Sequence, residues 1–72
     1  MPTPLITVTS DLGEREPSAA ILKGTLLTLS PEARILDLSH EISPHSIPEA
    51  AMFAAGAVPS FPEGTIHLIN VA

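Results

Sequence analysis

The sequence predicts an α/β fold: a βαβαβ unit with three mainly parallel strands and two helices. Two observations predict it. Short strand-like runs alternate with longer apolar segments in the order strand, helix, strand, helix, strand, and such alternation argues for a parallel sheet with right-handed crossovers. Each longer segment also opens on a helix-start signal, Pro17 for the first and Ser46 for the second.

Leu5 to Thr9 reads Leu-Ile-Thr-Val-Thr, short and β-branched, and predicts the first strand. A polar loop follows from Ser10 to Glu16. Pro17 suits a first helical turn, where its missing N–H has no intrahelical partner to lose. The helix is expected from about Pro17 to Leu29, with Ile21, Leu22, Leu26, Leu27 and Leu29 apolar and Lys23 its charged interior residue. Gly24 stands mid-helix at about 1 kcal/mol cost against alanine, and close approach of the helix to a sheet would account for it.

A turn at Ser30 to Ala33 leads into a second strand, Arg34 to Leu38, ending near Ser39 and His40. Ile42 to His45 is a proline-containing loop. Ser46 and Glu49 match a capping box, which places a second helix over about Ile47 to Ala57. Pro59 to Gly64 breaks that helix, and Thr65 to Val71 is the third strand. There is no internal repeat, low-complexity tract or linker, so the chain reads as one unit.

The chain has 72 residues, 3 of them basic and 8 acidic, for a net charge of −5; 44% are hydrophobic and 15% charged. An acidic disordered tail is charge-rich and apolar-poor, so that class is excluded. Without a basic patch, neither duplex nucleic acid nor anionic lipid is expected as the main partner. Without cysteine there is no disulfide scaffold and no cysteine zinc site. Met1-Pro2-Thr3-Pro4 lacks the basic region and apolar run of a signal peptide. No stretch reaches the roughly 20 apolar residues that span a membrane. A soluble cytoplasmic protein is the expectation.

A domain this small buries only roughly 60% of its unfolded surface. Its apolar residues are nevertheless abundant, and they are small aliphatics, with 2 Phe and no Trp or Tyr. Ala50 to Val58 carries no polar side chain on any face. A helix apolar all round is buried all round, and three strands cannot cover both its faces. Further chain or another subunit is expected on the other side.

In open α/β sheets, ligands bind beyond the carboxyl ends of the strands. Here those ends carry Asp11, Glu14 and Glu16 after the first strand, and His40 and Glu41 after the second. Arg15 is the one cation among them. No Gly-x-Gly-x-x-Gly or Gly-x-x-x-x-Gly-Lys occurs, so a phosphate cradle is not expected. A carboxylate directly after a first strand can accept hydrogen bonds from a vicinal diol such as a ribose, and an acidic rim favours a cationic ligand. Asp11 can equally be a turn or cap aspartate. His45 lies in a loop over the rim, where it could touch a ligand. His40-Glu41 with His67 lacks helical ligand spacing, so no metal is expected. His67 is expected to pack within its strand, and Lys23-Gly24 reads as structural. The serines lack the nucleophile-elbow context, so no Ser-His-Asp nucleophile arrangement can be argued.

Four segments in order carry a resemblance. They are Thr9-Ser10-Asp11-Leu12-Gly13; Glu16-Pro17 with Lys23-Gly24; Pro31-Glu32-Ala33-Arg34-Ile35-Leu36-Asp37-Leu38-Ser39-His40-Glu41-Ile42; and Phe61-Pro62-Glu63-Gly64-Thr65-Ile66-His67. At these spacings the chain, from about Leu5 to Val71, resembles the start of the S-adenosylmethionine hydroxide adenosyltransferases, relatives of the fluorinases and chlorinases. The resemblance implies attack of water or hydroxide on C5′ of S-adenosylmethionine, giving adenosine and methionine. The halogenases use halide at the same carbon. It also implies an N-terminal α/β domain followed by a C-terminal β domain, assembly as homotrimers with ligand between subunits, and no metal or separate cofactor.

Residue by residue, the resemblance assigns Asp11 to the ribose hydroxyls and places Ser10 beside it in the substrate-binding set. Glu16 stands where the family usually has Asp before Pro. His45 takes a loop position where the fluorinase has a pocket-lining tryptophan. The family's water-activating set is Asp, Arg and His, and the residue aligned with its Asp is Ala72. Residues 1–72 therefore read as the opening, incomplete part of an N-terminal domain. They carry part of a binding half-site and no catalytic residue, and are expected to be inactive alone. Two other readings stay open: a short non-catalytic binding or oligomerisation module that uses the apolar second helix as its interface, and a halogenase relative.

Overall fold

The structure, a computed structural model, describes residues 3–71. Its elements are β1 (Leu5–Ser10), α1 (Ser18–Leu29), β2 (Arg34–Ser39), α2 (Ile47–Ala57), a 3-10 turn at Val58–Ser60, and β3 (Ile66–Asn70). The fold is α/β, as the alternation predicts. The strands form one sheet in the order β2-β1-β3, with β1 parallel to both neighbours.

Two helix starts differ instructively from expectation. Pro17 caps α1 from outside it, and the Pro17 carbonyl accepts from the Ile21 N–H at 2.8 Å. At α2 the capping box forms by half. The Ser46 hydroxyl accepts from the Glu49 N–H at 3.2 Å. The Glu49 carboxylate turns away and accepts from the N–H and hydroxyl of Ser43, both at 2.7 Å. The cap thereby ties α2 to the loop before it.

β1 is the buried strand, as a central strand flanked by two parallel partners must be. Ile6 and Val8 join Ala33 in the core, with Leu22 and Leu26 of α1, Ile35 of β2 and Leu68 of β3 packed around them. Side chains alternate between faces along a strand. Leu68 therefore faces α1, while Ile69 and Val71 face the other way, where they line a groove with Ile47, Ala50 and Ala51 of α2. The two helices thus cover opposite faces, the doubly wound arrangement that right-handed crossovers produce when the chain passes from β2 over β1 to β3.

The structure corrects one expectation and sharpens another. Gly24 does not mark a close approach to the sheet, because a Cβ built there meets nothing within 4 Å. The apolar helix α2 is buried only at Ala50, while Ile47 is 67% and Met52 78% exposed. Its second face is open, as three strands require. Among the described residues no helix is long and apolar enough to cross a membrane.

Candidate functional site

The carboxyl ends of β1 and β2 open onto a cavity of about 520 Å³, lined among others by Asp11, Gly13, Glu14, Glu16, His40 and Pro44. The loop after β1 forms one wall and the loop after β2 the other. Asp11 sits where the two meet β3: its N–H donates to the Asn70 carbonyl at 3.3 Å, and its Oδ2 accepts from the His45 N–H at 2.8 Å. One residue therefore ties together all three strand ends, through its backbone N–H to β3 and its carboxylate to the loop after β2. An ionised carboxylate has about four lone-pair directions, so it can hold His45 and also accept from a ligand hydroxyl.

His45 reaches Asp11 by adopting φ 63°, the left-handed region that few residues other than glycine enter. Gly13 turns the opposite loop with φ 71°, where glycine meets no steric penalty. Glu16 is exposed on the cavity wall. Ser10 is 0% exposed and stands behind the wall, so its side chain meets the cavity only through its neighbours. The position set against the family's aspartate, Ala72, lies outside the described residues.

Behind Asp11 runs a hydrogen-bonded chain that the sequence reading did not foresee. The Ser10 hydroxyl lies 2.5 Å from His40 Nδ1, His40 Nε2 lies 2.9 Å from Asp37 Oδ1, and Lys23 Nζ donates to Asp37 Oδ2 at 2.7 Å. A Ser-His-Asp order thus exists here, but not as a nucleophile arrangement. Ser10 and His40 are buried, His40 to 3% exposure, so the serine is not presented to a substrate. The Lys23 hydrogen bond, followed by that of His40, holds the Asp37 carboxyl below its ordinary range against the opposing effect of burial. The same Asp37 contact raises Lys23.

A bulge brings this chain together. Val8 pairs with Asp37, but Thr9 pairs with Ser39, so Leu38 is an extra residue on β2. Such bulges re-aim the side chains that follow, here carrying His40 back to Ser10. The Asp37-x-x-His40 spacing was the only local sign of it. His67 lies in the sheet, 2.6 Å from the Thr7 hydroxyl through Nδ1 and edge-on to Phe61. Among the described residues no three His, Asp or Glu side chains converge to hold a metal ion, and no buried side-chain nitrogen or oxygen lacks a partner.

A doubly wound parallel sheet with an acidic rim after its first strand defines a class of small-molecule-binding α/β domains. Comparison with known proteins then gives the family. Residues 6–72 match the SAM hydroxide adenosyltransferase N-terminal domain, and the chain belongs to that family. It is 36% identical over 63 residues to a fluorinase of Actinoplanes sp., a match that covers 88% of this chain and 21% of the relative. It is 37% identical over 68 residues to the (R)-S-adenosyl-L-methionine hydrolase of Methanocaldococcus jannaschii, covering 89% of this chain and 26% of that one. A crystal structure of a conserved hypothetical protein from Thermus thermophilus superposes with a TM-score of 0.75 at 30% identity, over 93% of this chain and 28% of that one. The chain therefore spans about a fifth to a quarter of the length of the fluorinase and hydrolase relatives.

Proposed function

We propose that this chain is the opening part of the N-terminal domain of an enzyme that hydrolyses S-adenosylmethionine to adenosine and methionine. The observation that carries the reading is Asp11, a carboxylate at the junction of three parallel strand ends on an acidic rim. It accepts hydrogen bonds from the ribose hydroxyls. Glu14, Glu16 and Glu41 add negative charge beside the cavity, which favours a sulfonium cation over a phosphate. Ser10 backs Asp11, and His45 supplies a backbone N–H to its carboxylate.

In the reaction a water oxygen forms a bond to C5′ as the C5′–S bond breaks. The electron pair goes to sulfur, which leaves as the neutral thioether of methionine, and the water proton passes to solvent. Because the sulfonium is itself a good leaving group, the step needs no added cofactor. Within this chain the residues bind and orient the substrate. The enzyme works in the cytoplasm as a homotrimer, with the open face of α2 among the surfaces that other parts of the protein cover. Water is the assigned nucleophile. The fluorinase and hydrolase relatives match the chain about equally well, 36% and 37%, which suits a segment that binds the substrate both kinds of enzyme would share.

The test uses the full-length protein and chromatography of its products from S-adenosylmethionine. Adenosine is expected, and Asp11→Asn should lower kcat/KM by roughly tenfold to a hundredfold, the worth of a hydrogen bond to a charged group. Unchanged kcat/KM in that variant would remove Asp11 from the site. A halogenated nucleoside formed in the presence of halide would reassign the nucleophile.

A further inference from the structure

His40 grips the Asp11 loop on both sides. Its ring meets the Ser10 hydroxyl just before Asp11, and its carbonyl accepts from the Gly13 N–H at 2.8 Å just after. Between those points the Leu12 N–H donates back to the Ser10 hydroxyl at 3.3 Å, closing a tight ring around Asp11. The Ser10 carbonyl in turn accepts from the Ile42 N–H at 3.3 Å.

For a neutral His40 ring the partners also fix the direction of each proton along the chain. An ionised carboxylate only accepts and an ammonium only donates. Asp37 therefore takes Nε2–H from His40 and N–H from Lys23. In the neutral ring Nδ1 is then the acceptor, so Ser10 donates its hydroxyl proton to His40 and keeps its lone pairs for Leu12. The order runs without conflict from Lys23 at the surface to the backbone on either side of Asp11.

From this geometry we infer that Lys23, Asp37, His40 and Ser10 form a positioning relay for Asp11, with His40 as the positioning residue that aims its carboxylate at a ribose diol. The inference rests on the assignment of Asp11 to the ribose made above. None of the four touches the reacting atoms. Their work is to hold the Asp11 loop in one tautomer-dependent arrangement, so that the hydroxyl acceptors are in place before the ligand arrives.

The test compares equilibrium binding of adenosine and 2′,3′-dideoxyadenosine to the full-length protein. The wild type should prefer adenosine by about tenfold or more, because the dideoxy ligand forfeits the hydrogen bonds that its hydroxyls would donate to the Asp11 carboxylate. His40→Gln keeps a donor for Asp37 but places no acceptor at the Nδ1 position. It should cut that preference to about threefold or less while leaving dideoxyadenosine affinity within about twofold, since only the diol contact is misaimed. His40→Asn puts an acceptor oxygen where Nδ1 stands and should restore most of the preference. Asp37 is about a third exposed (35%), so Asp37→Asn provides a variant whose folding does not depend on a buried site. Its amide can donate to Nε2, which reverses the ring tautomer and should also lower the preference. A wild-type preference that survives in His40→Gln and Asp37→Asn overturns the relay and leaves the diol assignment standing. Equal weakening of both ligands also overturns it, because that is the signature of general destabilisation. A wild type with no preference overturns the diol assignment and the relay with it.

Discussion

Asp37 shows how one exposed carboxylate can serve a buried site. It receives Lys23 on one oxygen and His40 on the other, and its carboxyl is held below the ordinary range, first by Lys23. Its stabilising effect is therefore complete above the unfolded value of about 4 and is lost as pH falls through the folded value. Being about a third exposed, the contact is screened by solvent and its contribution is modest. Thermal melts of the full-length protein and of Asp37→Asn should differ at neutral pH, with the wild type more stable, and converge in acid. A gap that stays constant between neutral and acid pH would count against the Lys23–Asp37–His40 contacts. At this scale the sequence was readable in part. Asp11 was visible as a carboxylate directly after a strand. The Ser10–His40 contact was not, because it joins residues 30 apart through a bulge at Leu38, and the Asp37-x-x-His40 spacing does not by itself place a bulge.

The elements themselves were largely legible, since their signals are local. A β-branched run marked β1, and the Ser46 and Glu49 capping signature marked α2 with the same bounds the structure shows. What local signals could not show was where Glu49 would turn. A reciprocal capping box needs its carboxylate to return to Ser46, whereas here two donors on Ser43 compete and win. These donors hold the Glu49 carboxyl below its ordinary range. Gly24 misled for the same reason: its cost is local, but its surroundings are tertiary. The α2 cap makes a direct prediction. Ser46→Ala removes the acceptor for the Glu49 N–H and should cost about 1 kcal/mol, read as a lower denaturant midpoint with an unchanged m-value. A midpoint equal to wild type would mean that the Ser43–Glu49 contacts alone hold the helix start.

For the whole molecule, the arithmetic of faces decides behaviour. The sheet has three strands, and both β2 and β3 are its edges. Only β1 is well buried. On the α2 side Ile47, Met52 and Ile69 remain exposed, and the groove formed by Ile47, Ala50, Ala51, Ile69 and Val71 lies open beside the β3 edge. An unpaired strand edge and an adjoining apolar groove are a template for association. The isolated 72-residue chain should therefore self-associate, with its sedimentation coefficient rising with concentration. Ile47→Lys combined with Ile69→Lys should shift it toward monomer. Both side chains are exposed, at 67% and 43%, so substitution there should change chain stability by only about 0.5 kcal/mol either way, and loss of association would report on the surface rather than on unfolding. A wild-type chain that sediments as a monomer at all concentrations and melts in one sharp transition would show instead that β1 and the α1 face suffice for a stable fold. The open α2 face would then be ordinary surface.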